Sequence, residues 1–498
     1  MLRIPRPVRG LARPGFRGDR QSAGLRPALY SRTSRAKILT VLAAAALLIA
    51  MYPDWVPARW KSGDPKSLDL LANTPINCLW LERPQWSAAF AAEAAKRGIA
   101  TLGIIRREGD PIQAAQVLAK SGFTGGVIEG NFDDYSLMIV GGTLARAKML
   151  YLESGPRSRL HLDGDVPAVP IVSTSQGMWP GIHVENGGSA NAGPTANPWI
   201  DTNTGFLRFA RASTEATVWM AVEPPPKTVY PVERYVQAIG DAAMNGGRWV
   251  VALDDDLWRR MLAGEAKALH DWARIGAALQ HFEDHKEWRA ATPAGEVAIV
   301  EDYGAARFSG GLFDMLAAKH IPAFPLPYSK LSAAALRGIR LAVDPDPEAL
   351  PRQQAPVLQT FAQSGKVLVE GPPSGPAKPA PSDDDFVFDK TDLRADAVWQ
   401  KVSTAMGRQN MGARLFNVAS MLSNLLVLHG QRQLVLHLVN YSDFPTSGIT
   451  ARVVGDYRHA RLYRPGEAPV DIELEKVEDG TGFAIDERIV TIATVVLE

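Results

Sequence analysis

A chain of 498 residues that is 46% hydrophobic and 21% charged holds enough apolar mass for several packed domains, which excludes disorder of the whole. Its formal charge of +1 hides an asymmetry, because the first 37 residues carry nine Arg and Lys37 against Asp19 alone, a local +9 that leaves −8 for the remainder. A net acidic body gives no electrostatic reason to expect nucleic acid, and the single Cys78 excludes an intrachain disulfide framework and a cysteine-based zinc site.

After the basic tail, residues 1–37, comes an apolar segment, 38–52, in which Ile38 to Met51 hold only Thr40 as a polar residue. Its fourteen residues fall short of the ~20 that span a bilayer comfortably, and a basic flank before such a stretch has the form of an export signal. Val56-Pro57-Ala58 offers a small-residue cleavage site, whereas the long basic head with Trp55 and Trp60 suits an uncleaved anchor equally well. In either case the positive flank stays cytoplasmic and the rest is exported, anchored to the inner membrane and facing the periplasm or outer surface, or secreted if cut. The membrane is thus an expected partner through this segment. A buried helix of a cytosolic protein stays open as the alternative, although nine arginines are an odd flank for one. Residues 53–75, polar with two prolines after Arg59, read as a spacer.

From residue 76 short apolar runs alternate with helical periods. Strands are predicted over 76–81, 101–105, 125–129, 148–152, 168–173, 217–223 and 248–254, and helices most clearly over 86–97, 112–121, 231–245 and 265–287. Seven strands within 76–288 fit a (β/α)8-type barrel with one strand missed or missing; an open doubly wound sheet fits less well, because no Gly-rich phosphate turn follows any strand. A second, flavodoxin-like α/β unit is predicted over 294–426, interrupted by a Pro- and Asp-rich loop at 372–385. The β-rich runs of 427–498 predict a small antiparallel β-sandwich.

This order resembles the three-domain β-galactosidases of the large retaining-glycosidase clan, built of a TIM barrel, a glutamine-amidotransferase-like domain and a C-terminal β-sandwich. Val218-Trp219-Met220-Ala221-Val222-Glu223-Pro224 looks like the strand bearing that family's nucleophilic glutamate, and Val439-Asn440-Tyr441-Ser442 is similar to the start of its terminal sandwich. The resemblance implies a glycosidase acting on an oligo- or polysaccharide, with no cofactor and no amidotransferase chemistry in the second unit. One departure stands out: the family's acid/base sits in an Asn-Glu pair after its fourth strand, and no Asn-Glu dipeptide occurs in 76–288.

Glycoside hydrolysis needs two carboxyl groups flanking the bond, and in a barrel they stand at the C-terminal ends of strands. The predicted strand ends supply Glu129, Glu153, Glu223 and the run Asp254-Asp255-Asp256. Glu129 and Glu223 lie three strands apart, the clan's relation of acid to nucleophile, so Glu223 is expected to attack the anomeric carbon and Glu129 to act as acid/base. The plainer alternative is that strands end in charge where they meet solvent. Glu153 has Arg157 and Arg159 as candidate salt-bridge partners, and Asp254 reads as a helix N-cap or a polar contact in the site. The stretch from Thr174 to Asn203 lacks period for some thirty residues, which points to a functional loop. It brings Trp179 and Trp199 as candidate sugar platforms, with Gln176, His183, Glu185, Asp201 and Asn203 as polar groups; a Gly-rich excursion pinned by its tryptophans is the alternative. His281 and His285 read as a solvated helix face, and no metal site is expected. Two rival functions stay open: an inactive barrel serving polysaccharide binding or envelope assembly, and a metal-dependent hydrolase or deacetylase.

Overall fold

The computed structural model describes residues 54–498 apart from 161, 163–170, 181, 185–189, 193–199, 201, 302–305, 372–393, 408–411, 419, 429, 431 and 479. Eight parallel strands form one sheet in sequence order: β1 (Pro57–Trp60), β2 (Cys78–Leu81), β3 (Ala100–Arg106), β4 (Gly125–Glu129), β5 (Leu150–Gly155), β6 (Ile171–Thr174), β7 (Thr217–Met220) and β8 (Arg248–Trp249). The sheet returns on itself, because Arg59 N–H donates to the Val251 carbonyl and Val251 N–H to the Pro57 carbonyl, at 2.7 and 3.1 Å. A nearly closed parallel barrel results. The eighth strand is β1, which corrects the reading of 53–75 as spacer: Pro57 and two charged neighbours masked a strand whose four residues are all buried.

Helices α1 (Ala88–Lys96), α2 (Pro111–Leu118), α3 (Asp134–Arg146), α4 (Thr204–Ser213), α5 (Val232–Met244), α6 (Asp255–Leu262) and α7 (Ala266–Asp284) follow the barrel strands. Leu118 of α2 seats where β3 and β4 lack side chains, since a Cβ on Gly103 would stand 2.4 Å from one of its methyls. Trp60 points outward from β1, its indole N–H donates to Ser67 Oγ at 2.9 Å, and its ring meets Trp258 of α6 edge-on at 4.7 Å. These contacts sew the ends of the barrel together through one large apolar side chain.

A four-stranded parallel sheet follows, in the order β10-β9-β11-β12, from β9 (Val297–Glu301), β10 (Ala323–Pro327), β11 (Leu341–Asp344) and β12 (Val367–Glu370), with helices α8 (Ala306–Ala318), α9 (Ala355–Gln363) and α10 (Arg394–Met406). Later in the chain come β13 (Ala413–Phe416), β14 (Met421–Leu428), with Thr292–Pro293 paired along its edge, β15 (Gln433–Asn440), β16 (Ile449–Val453), β17 (Ala460–Tyr463), β18 (Val470–Ile472), β19 (Leu474–Val477), β20 (Gly480–Ile485) and β21 (Ile492–Leu497). They form two antiparallel sheets, one with β14-β15-β21-β17-β18 and one with β13-β16-β20-β19. Leu436, Leu438 and Val495 of the first share a buried cluster with Ala451, Phe483 and Ile485 of the second.

The antiparallel strands dock on the barrel helices. Arg234 of α5, 1% exposed, donates to Asp443 at 2.5 Å, and Gln237 Nε2 donates to the Asn440 carbonyl at 2.8 Å. This docking overturns the solvated face expected for His281. The ring is buried between α7 and the sheet, 3.3 Å from Thr494 Oγ1, and meets Phe282 and Trp288 edge-on. His285 is half-buried and stacks on Trp288 at 4.0 Å.

Candidate functional site

Side chains alternate between the two faces of a strand, and that period decides what stands at the barrel mouth. Trp80, Leu102, Ile104, Val127, Leu152 and Trp219 belong to one buried cluster, distinct from the one between strands and helices, and fill the barrel. Two residues on, the same inward register delivers Glu82, Arg106, Glu129 and Ser154, and four residues beyond Trp219 it delivers Glu223. Arg59 is paired in register with Trp80 and therefore also faces inward. Apolar layers at the N-terminal ends of the strands thus give way to a charged layer at the C-terminal ends.

The charged layer is one network of two guanidiniums and three carboxylates. Arg59 Nη2 donates to Glu129 Oε1 at 2.5 Å and to the Ala221 carbonyl at 3.1 Å, while Nη1 stands 3.1 Å from Glu223 Oε1. Its guanidinium lies 5.3 Å from the centre of the Trp80 ring. Arg106 Nη2 donates at 2.5 Å to both Glu82 Oε1 and Glu223 Oε1, and lies 4.0 Å from Glu129 Oε2. With Glu223 Oε1 2.5 Å and Glu129 Oε2 4.0 Å from the same nitrogen, those two oxygens stand within about 6.5 Å of each other.

Burial of the Glu223 carboxyl works to raise its pKa, but the Arg59 charge and the Arg106 hydrogen bond outweigh it and hold the group below the usual carboxylate range. Glu223 is therefore ionised through neutral pH, the state a nucleophile or a charge stabiliser needs. Both arginines bind its Oε1, which leaves Oε2 to the mouth. Glu129 shows the same asymmetry: Oε1 is taken by Arg59, whereas Oε2 is buried with no hydrogen-bond partner. Each carboxylate is held by arginine through Oε1, and Glu129 Oε2 is buried 4.0 Å from Arg106 Nη2.

The remaining predicted residues divide. Trp179 is 6% exposed, its ring packed against Tyr230, Tyr235 and Trp249 at 4.7, 5.4 and 5.0 Å, and its indole N–H donates to the Glu223 carbonyl at 3.3 Å. This corrects the sugar-platform reading: the ring forms the wall that carries the Glu223 backbone and offers no open face. Asn203 is also wall, accepting from Arg157 at 2.8 Å and from Met178 N–H at 3.1 Å, and donating to Asp241 at 3.0 Å. Burial pushes the Asp241 carboxyl up to about 6, against the pull of those Asn203 hydrogen bonds. Gln176 Oε1 accepts from Arg157 N–H at 2.7 Å. Asp254 caps α6, accepting from Asp256 and Leu257 N–H at 2.9 Å each, and takes the Tyr235 hydroxyl at 2.6 Å. Asp254→Ala is expected to cost about 1–2 kcal/mol, measured as a lowered urea midpoint. Glu153 sits exposed on β5, and Arg159 pairs with Asp134 at 3.3 Å. Trp199, Glu185 and Asp201 lie outside the described residues, as does the side chain of His183, which falls in a short hairpin of Ile182–Val184 with Ala190–Ala192.

Arg59 lies in the segment that reads as a spacer, and Arg106 escapes a reading confined to carboxylates at strand ends. Glu82 is a carboxylate directly after the predicted strand 76–81, the same position that Glu153 holds after 148–152, and is legible by the same rule. Among the described residues no group of three His, Cys, Asp or Glu side chains converges as a metal site.

No family model matches the sequence, and no curated protein does. Solved structures do match, glycoside hydrolases among them. The α-L-fucosidase isoenzyme 2 from Paenibacillus thiaminolyticus aligns over 89% of this chain and 99% of its own, with 10% identity and a TM-score of 0.58. An exo-carrageenase GH42 from Bacteroides ovatus covers 73% of this chain and 54% of its own at 8% identity and a TM-score of 0.40. A rhamnosidase from Novosphingobium sp. PP1Y covers 78% and 39% at 12% identity and a TM-score of 0.36. The likeness to the fucosidase, over nearly the whole of both chains, shows a shared fold.

Proposed function

We propose that the chain takes an oligo- or polysaccharide at the barrel mouth and cleaves it with Glu223 as nucleophile and Glu129 as acid/base. The observation that carries this reading is the pair of inward carboxylates at the C-terminal ends of the barrel, within about 6.5 Å of each other, each held by arginine through Oε1. That upper limit accommodates the roughly 5–5.5 Å at which retaining glycosidases hold their two carboxyl groups. The fold shared with the fucosidase supports it. We also read the four-stranded parallel sheet as the amidotransferase-like unit and the two antiparallel sheets as the terminal sandwich.

A second reading is favoured by one observation. Arg59 ties the two carboxylates together, which is what a barrel that binds a glycan without cleaving it would retain as a structural brace. Release of reducing ends from a panel of exported polysaccharides separates the two. Glu223→Gln and Glu129→Gln are each expected to lower turnover at least about 10³-fold while leaving affinity within tenfold. Glycan binding by the wild-type chain with no product at all would establish the second reading instead.

The membrane tether belongs to this proposal. Trp55 and Val56 are already buried in the body of the barrel, so cleavage at Val56-Pro57-Ala58 would cut β1 and remove the partner of β2. This supports an uncleaved anchor. Among the described residues no helix is long and apolar enough to cross a membrane.

A further inference from the structure

A cavity of about 200 Å³ lies where the barrel helices, the parallel sheet and the antiparallel strands meet, lined by Arg208 and Arg211 of α4, Asn245 after α5, Phe324 of β10, and Asn424 and Leu426 of β14. Residues 208–212 lead down α4 toward the start of β7, and Asn245 lies three residues before β8, so the cavity sits toward the N-terminal ends of the barrel strands, remote from the mouth.

Its charge is unbalanced. Arg208 is 7% exposed, and every hydrogen-bond acceptor it meets is neutral: Asn245 Oδ1 at 2.9 Å, Asn424 Oδ1 at 2.6 Å and the Ala323 carbonyl at 3.3 Å. These three bonds use one donor on each nitrogen and leave two of the five guanidinium N–H groups over. Asp314 and Asp241 act on Arg208 through their charge and offset part of the effect of its burial. Burial still pulls the Arg208 pKa down to about 10. Arg211, half-buried at the rim, has neither a hydrogen bond nor an ion pair among the described residues, and its guanidinium lies against Gly246. Asp314 and Asp241 act on Arg208 and Glu215 acts on Arg211, but none of these carboxylates lines the cavity, so two guanidiniums face one hollow whose own wall carries no negative charge and favours an anion there. Beside the polar Asn245, Thr292 and Asn424, the wall is apolar, with Met244, Phe324, Pro325 and Leu426 as its larger side chains, which suits a hydrocarbon body and not a bare phosphate.

We infer that this junction cavity binds a small organic carboxylate, its carboxyl group held between Arg208 and Arg211 and its apolar part against Phe324 and Leu426. The planar guanidinium offers the paired donors that a carboxylate accepts. A ligand there would bridge α4, β10 and β14, and so stiffen the docking of the three parts of the chain.

Calorimetric titration and thermal unfolding of the full chain with hexanoate, hexanamide and inorganic phosphate test this. Hexanoate is expected to bind saturably at millimolar concentration or tighter and to raise the Tm; hexanamide, which lacks the charge, is expected to bind at least about tenfold more weakly. Arg211→Gln at the half-exposed rim should weaken hexanoate about tenfold or more without lowering the Tm of the unliganded chain by more than a few degrees. Ala212→Phe should fill the rim and abolish binding by a separate route. Absence of saturable hexanoate binding, equal binding by both variants, equal affinity for hexanamide, or tighter binding of phosphate than of hexanoate would each overturn the inference. None of these readouts involves glycan turnover.

Discussion

Arg59→Met is expected to destabilise the chain by about 3–5 kcal/mol, because it strands a carboxylate inside the barrel. Glu129 has a side chain only 3% exposed, and its one hydrogen bond among the described residues comes from Arg59, so methionine would leave it with Arg106 Nη2 at 4.0 Å as its nearest cation. The pair as a whole is worth much less than its disruption, since two charges brought out of water give back most of their attraction as desolvation. The double variant Arg59→Met with Glu129→Leu is therefore expected to recover most of the loss. Urea denaturation of the two single variants and the double variant measures this as a thermodynamic cycle. A double variant as unstable as Arg59→Met alone would show that Arg59 acts by filling space and not by neutralising Glu129. Loss of Arg59 also removes the largest influence that lowers the Glu223 pKa, so the acid limb of any pH–rate profile should move to higher pH.

The same residue shows how much was legible beforehand. Glu129 and Glu223 were found because a buried parallel strand reads as an apolar run, and its first charge marks the end that meets the mouth. Arg59 was not found, because β1 is four residues long, begins with proline and ends in tryptophan, and gains its strand geometry from neighbours on both sides, Cys78 to Leu81 and Val251. A strand that closes a barrel is specified by the gap it fills. Trp179 misled for a related reason: an aromatic in a long loop after a strand has the same composition whether its ring covers substrate or plugs a wall, and only its contacts with Tyr230, Tyr235 and Trp249 separate the two. His281 looked solvent-facing because helix period describes α7 alone, whereas the antiparallel sheet that covers it arrives more than 150 residues later in the chain.

Those buried histidines carry the second large effect. His281 and His437 share Thr494 Oγ1, at 3.3 and 2.9 Å, between α7 and strands β15 and β21, and His320 meets Ser423 of β14 at 2.9 Å. Burial pulls all three below the ordinary imidazole value of 6.5, to about 3, about 3 and about 4, with His285, the other histidine of the pair and Lys319 adding smaller pushes in the same direction. A group depressed in the folded state contributes stability that is full above its unfolded value and drains away as pH falls toward the folded one. Between pH 7 and pH 5 each histidine then gives up roughly 2 kcal/mol. Two acids work the other way: Asp241 and Asp344, raised by burial to about 6, bind a proton more readily folded than unfolded and return a little over about 1 kcal/mol each. The histidines prevail by roughly 3 kcal/mol, so the urea midpoint should fall steeply from pH 7 to pH 5, and His437→Gln should flatten the slope by somewhat more than half. A midpoint that stays level over that range would mean that the imidazoles remain accessible to protons while folded. Because Arg59 and Arg106 hold the Glu223 carboxyl below the usual carboxylate range, Glu223 keeps its charge through the same window. Acid is thus expected to loosen the docking of the antiparallel sheets on the barrel before it disturbs the Glu223 carboxylate at its mouth.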